Sequence, residues 1–93
     1  MDNPYVFFEN RIIREHEACI SVRNIAFNYG LGCFEGIRAY WNAEKGQLYV
    51  YGMQEHYARL LRSCKILGIN ITYTLQELCD ITIRLLQINK YTT

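Results

Sequence analysis

The sequence predicts an α+β domain: a two-layer sandwich in which one antiparallel sheet carries two helices packed on one face. Three features predict it. Short β-prone runs fill the first half of the chain, the apolar period changes from 2 to 3.6 after Gly52, and two amphipathic stretches then follow in succession. Strands followed by helices, rather than alternating with them, fit an antiparallel sheet covered on one side.

Tyr5 to Phe8 and Arg11 to Arg14 are β-prone, with Glu9-Asn10 as the hairpin turn between them. Glu15 to Glu17 is polar, and Cys19 to Val22 reads as a further short strand. Asn24 can cap a single helical turn over Ile25 to Phe27. A strand from Phe34 to Asn42 then pairs, across the breaker-rich turn Asn42 to Gly46, with a strand from Gln47 to Tyr51. Tyr57, Leu60, Leu61 and Cys64 recur at helical spacing, so 53–67 is an amphipathic helix that Gly68 stops. Thr74 and Glu77 make a capping box that starts a second helix at Leu75, with Leu78, Thr82, Leu85 and Leu86 as its apolar stripe. The tail from Asn89 to Thr93 adds no closing element. The helices are expected to cover Ile37, Ala39, Leu48 and Val50. Phe34, Arg38, Tyr40, Tyr49 and Tyr51 then form an open face that calls for a partner surface or self-association.

Ninety-three residues make one domain. A chain of that size buries only about 60–65% of its unfolded surface, so it folds with little margin or leans on a partner. A hydrophobic fraction of 51% excludes disorder. Ten basic and nine acidic residues, without a like-charge block, lack the electrostatic footprint of a nucleic-acid binder. Cys19, Cys33, Cys64 and Cys79 form no C-x-x-C pair, and with two histidines they make no zinc cage, so no metal is expected. The first ten residues are acidic and carry no signal-peptide core, which points to reduced thiols in a cytoplasmic protein. No run approaches the ~20 apolar residues that would span a membrane.

The stretch from Phe27 to Asn42, FNYGLGCFEGIRAYWN, is the densest in chemistry. Read as a strand from Phe34, it puts Phe34, Gly36, Arg38 and Tyr40 on one face and Glu35, Ile37, Ala39 and Trp41 on the other. An aromatic ring, a bare backbone position and an arginine in a row make a wall for a small anionic ligand. The competing reading is an ordinary two-sided strand with a solvent-facing arginine.

The run Tyr29 to Tyr40, YGLGCFEGIRAY, resembles the signature of the branched-chain amino-acid aminotransferases, pyridoxal-phosphate enzymes of fold type IV. The likeness continues in Glu55-His56-Tyr57-Ala58-Arg59-Leu60, similar to that family's E-H-x-x-R-L segment, and in Ser63 to Leu67. It implies that 1–93 is the N-terminal small domain of such an enzyme. Arg59 would bind the phosphate of pyridoxal 5′-phosphate, because a guanidinium fork matches phosphate oxygens and stays charged. Its placement early in a helix would add the favourable dipole. The alternative for Arg59 is an i, i+4 pair with Glu55.

By the same resemblance Phe34 and Gly36 line the substrate pocket and Arg38 organises its substrate side. Tyr29 reaches into a neighbouring subunit, which implies a homodimer. Asn28 replaces the family's usual histidine, Cys33 an aliphatic residue, and Asn10-Arg11 the frequent Asn-Gly. The lysine that forms the Schiff base belongs to the family's second domain, and Lys45, Lys65 and Lys90 match no catalytic motif. The chain is therefore expected to carry no catalytic residue and to be inactive alone. The implied reaction moves the amino group of leucine, isoleucine or valine to 2-oxoglutarate. Alternatives are a D-amino-acid aminotransferase or aminodeoxychorismate lyase fragment, or a non-catalytic binding remnant.

Overall fold

The computed structural model describes residues 3–90; the expected tail over Tyr91 to Thr93 lies outside them. The fold is α+β, in the order β1 (Tyr5–Phe8), β2 (Arg11–Arg14), α1 (Ile25–Tyr29), β3 (Arg38–Asn42), β4 (Gln47–Tyr51), α2 (Met53–Leu67) and α3 (Leu75–Asn89). The strands form two separate antiparallel hairpins, β1–β2 and β3–β4, instead of the one sheet expected. A side chain explains part of this. Tyr5 donates its backbone N–H to Asn89 Oδ1 at 2.7 Å, and Asn89 Nδ2 donates to the Tyr5 carbonyl at 2.9 Å. Those backbone groups on the outer edge of β1 are thereby claimed by an amide rather than by a third strand. Asn89, expected in an inert tail, is instead a buried strap.

Local chemistry accounts for most element boundaries. Glu9 and Asn10 adopt φ of 49° and 67°, the pair of left-handed residues that a two-residue hairpin loop uses. The Asn24 side chain accepts from Ala26 N–H at 2.9 Å, and the helix it starts continues to Tyr29 before Gly30 ends it at φ 66°. Thr74 and Glu77 form the reciprocal capping box of α3. Gly68 closes α2 at φ 74°, and Ile69 N–H bonds back to the Cys64 carbonyl at 2.8 Å.

Two strand expectations do not hold. Cys19 to Val22 forms no strand, for no segment among the described residues pairs with it; Ile20 and Val22 are exposed, and Ser21 Oγ accepts from Arg23 N–H in a local turn. The other strand begins at Arg38, not Phe34, because β4 offers partners only from Tyr51 back to Gln47.

The core is thin. Cys64 and Cys79, 4% and 3% exposed, are its buried apolar members among the described residues. The Tyr57 hydroxyl meets Thr82 Oγ1 to join α2 to α3, and Tyr73 packs edge-on against Phe7 while donating to Asn10 Oδ1 at 2.6 Å. Ala39 is exposed, against expectation, whereas Ile37, Leu48 and Val50 are half-buried. Trp41, Leu48 and Val50 line an apolar cleft of about 470 Å³ with Met53, Ile83 and Leu86, which leaves open space between α3 and the β3–β4 hairpin.

Candidate functional site

From Cys33 to Arg38 exposure alternates: Cys33, Glu35 and Ile37 are turned inward, and Phe34, Gly36 and Arg38 outward. The predicted two-faced pattern thus extends upstream of the paired strand. Its inward member at 35 is a carboxylate, and a charge placed there requires a partner. Arg59 supplies one: Nε donates to Glu35 Oε2 at 2.8 Å and Nη2 to Oε1 at 2.7 Å. His56 Nδ1 lies 2.8 Å from the same Oε1; a carboxylate only accepts, so the ring proton sits on Nδ1. The Arg59 hydrogen bonds, followed by that from His56, hold the Glu35 carboxyl down to about 2, against a smaller opposing effect of burial. Glu35 in turn raises the Arg59 guanidinium above its ordinary value.

This two-point pair replaces the expected alternative of a Glu55–Arg59 helix pair. It also leaves part of the fork available. Glu35 engages Nε and one N–H of Nη2, so Nη1 and the outer N–H of Nη2 are not used by it. The Glu35 side chain is 11% exposed and that of Arg59 is 59% exposed, so the anchored edge is inside and the other edge faces water.

Arg59 lines a cleft of about 630 Å³ with Tyr51, Gly52, Glu55, His56 and Arg62. Gly52 is the N-cap of α2, at φ 62°, and no side chain caps the helix there. The amides of the first turn are therefore free of side-chain partners, and a positive φ favours glycine at this position. Arg59 itself stands in the second turn of α2, not the first. Helical side chains lean toward the N-terminus, which carries the guanidinium back toward the uncapped end.

None of the other predicted residues lines this cleft. Arg38 faces Tyr51 across β3–β4, so it shares a sheet face with one wall. Phe34 and Tyr29 are largely exposed, on the segment before β3 and at the end of α1. Gly36 adjoins Glu35, and a Cβ built there would meet nothing within 4 Å, so the chain's own packing does not require glycine. Sequence reasoning missed Glu35, His56 and Arg62 as members of the site. The signals were present: an inward carboxylate next to two outward pocket candidates, and Arg62 one helical turn beyond Arg59. Among the described residues no group of three or more potential ligands could hold a metal ion, and no helix is long and apolar enough to cross a membrane.

No family model matches the chain. A protein of Aquifex aeolicus described as a probable branched-chain-amino-acid aminotransferase is 45% identical over 83 residues, covering 89% of this chain and 27% of that protein. The D-alanine aminotransferase of Staphylococcus epidermidis is 34% identical over 84 residues, or 90% of this chain and 28% of its own length. Among solved structures, the branched-chain aminotransferase of Thermoproteus uzoniensis with norvaline superposes with a TM-score of 0.90 at 41% identity, over 97% of this chain and 30% of that one. The pyridoxal-phosphate form of the Thermobaculum terrenum enzyme gives 0.86 at 32% identity. The chain belongs to this aminotransferase family, and it spans less than a third of the length of the relatives it matches.

Proposed function

We propose that residues 1–93 are the N-terminal small domain of a branched-chain amino-acid aminotransferase. The complete enzyme would transfer the amino group of leucine, isoleucine or valine to 2-oxoglutarate. The observation that carries this reading is the Arg59 fork, fixed on one edge by Glu35 and open on the other beside an uncapped helix end. The donor set fits a phosphate. Arg59 offers its free N–H groups, Arg62 adds a second cation, and the first-turn amides of α2 point the same way. Glu55 in the lining is a counter-charge that an arriving dianion must outweigh. With Glu35 counted, two guanidinium groups stand against two carboxylates, so the phosphate would be held by directed N–H donors and not by a net positive charge.

Pyridoxal 5′-phosphate supplies the electron sink for transamination. The chain's own residues would bind and orient. Arg59 would hold the phosphate, while Glu35 and His56 keep its guanidinium in a single pose, so little ordering cost falls on binding. Phe34 would form an apolar wall for an aliphatic side chain. Gly36, unneeded by local packing, would leave room for close approach, and Arg38 would organise the substrate side. Tyr29, exposed at the end of α1, would reach a neighbouring subunit of a homodimer. The catalytic lysine would come from a second domain, so this chain alone would be inactive; reduced thiols fit a cytoplasmic setting.

The test compares the 93-residue chain with the complete enzyme, using leucine and 2-oxoglutarate. Turnover is expected only from the complete enzyme, and turnover by the chain alone would overturn the assignment. The likeness to a D-alanine aminotransferase makes a D-amino-acid enzyme the second reading. Faster turnover of D-alanine than of L-leucine by the complete enzyme would select it.

A further inference from the structure

Two of the four cysteines lie against each other, from segments far apart in sequence. Cys33 Sγ and Cys64 Sγ are 3.2 Å apart, although 31 residues separate them along the chain. Cys33 precedes the pocket segment Phe34–Arg38, and Cys64 sits in α2, five residues beyond Arg59. No corresponding sulfur contact involves Cys19 or Cys79 among the described residues. We propose that Cys33 and Cys64 form a reversible modification site, in which hydrogen peroxide converts the thiol pair to an intrachain disulfide. This is independent of the transamination reading.

Three physical features favour the bond. The sulfurs need approach by only about 1.2 Å to reach disulfide length. Gly32 and Gly36 flank Cys33 closely, and a Cβ at either would meet nothing closer than 3.7 Å, so the segment has room to shift. Cys33 is half-buried and Cys64 buried, so a small oxidant meets Cys33 first. Burial and the neighbouring Cys33 sulfur also push the Cys64 thiol above its ordinary value, which leaves Cys33 as the first nucleophile.

The Cys33 thiolate attacks one peroxide oxygen, the O–O bond breaks, and the hydroxide released takes up the proton lost by the thiol to leave as water. Cys33 is then a sulfenic acid. The Cys64 sulfur attacks it, the S–O bond breaks, and the departing hydroxide takes the Cys64 proton as a second water. Two thiols lose two electrons and one peroxide gains them. Dithiothreitol reverses the change by thiol–disulfide exchange. In the oxidised state the segment bearing Phe34, Glu35 and Gly36 is fastened covalently to the helix bearing Arg59.

The experiment treats the chain with one equivalent of hydrogen peroxide, blocks remaining thiols with N-ethylmaleimide, and digests it without reductant. The Cys33 and Cys64 peptides should be recovered linked, with free thiols falling from four to two. The melting temperature should rise by several degrees and return after dithiothreitol. Cys33→Ser and Cys64→Ser should each abolish the link, and Cys79→Ser should preserve it. Links through Cys19 or Cys79, intermolecular dimers, Cys33 over-oxidised without a link, or four unchanged thiols would each overturn the proposal; the map of the unsubstituted chain decides even if a variant fails to fold.

Discussion

Asn89 and Glu35 perform the same mechanical task with opposite chemistry. Asn89 is a neutral amide, 5% exposed, that fastens β1 to the end of α3 by exchanging two hydrogen bonds with the backbone of Tyr5 and donating a third to the Leu85 carbonyl. Glu35 is a carboxylate that fastens the segment before β3 to α2 through Arg59 and His56. The first fastening is dry, closed and saturated. The second is charged and ends in a guanidinium that is more than half exposed. A buried neutral strap stabilises a fold and offers nothing to a ligand. A half-exposed ionic clamp contributes less to stability, because water screens it, but it presents a fixed charge to whatever enters the cleft.

Substitutions can break this contrast, beginning with the largest effect. Asn89→Ala leaves the Tyr5 N–H and C=O without partners and should cost about 2 kcal/mol. For a domain of this size that is a fall in melting temperature of roughly 10 °C. Thermal and urea melts check it, and a variant as stable as the parent would remove the strap from the account. Arg59→Ala should keep the fold, as seen by circular dichroism, yet weaken inorganic phosphate binding about tenfold in calorimetry. Arg59→Lys should fall between, since it keeps the charge and loses the fork.

Tyr57→Phe removes the hydroxyl that joins α2 to Thr82 and should cost about 1 kcal/mol in the same melts. The smallest effect is that of pH. Glu35 titrates near 2 when folded against an ordinary 4.5, so its contribution is complete above pH 4.5 and is lost as pH falls toward 2. Subtracting the melting curve of Glu35→Gln should isolate that loss within this window, whereas the Asn89→Ala deficit should not change across it.

The helices were legible because their signals are local. Thr74 with Glu77, Gly68 after an apolar stripe, and Asn24 before Ile25 each act within one turn, and each holds in the structure. The Glu9-Asn10 turn was legible for the same reason. What could not be read depended on contacts across the chain. Cys19 to Val22 has strand composition but no neighbour to pair with, and composition says nothing of neighbours. The single sheet failed in part because Asn89, 84 residues from Tyr5, occupies an edge of β1. Within the site, alternation placed Glu35 inward and Arg38 outward correctly, but it could not show that the inward carboxylate meets Arg59. The resemblance pointed to Arg59; the structure adds what holds it.

At the centre of the site is a guanidinium whose inner edge is committed to Glu35 and whose outer edge faces the cleft. Side-chain ¹⁵N spectra of arginine, recorded during a titration with inorganic phosphate, test it most directly. Saturable shifts at the Arg59 Nη groups, with Nε nearly still, are the predicted result. Shifts confined to Arg11, Arg14 or Arg84, or an Arg59 Nε that moves as much as its Nη groups, would contradict it.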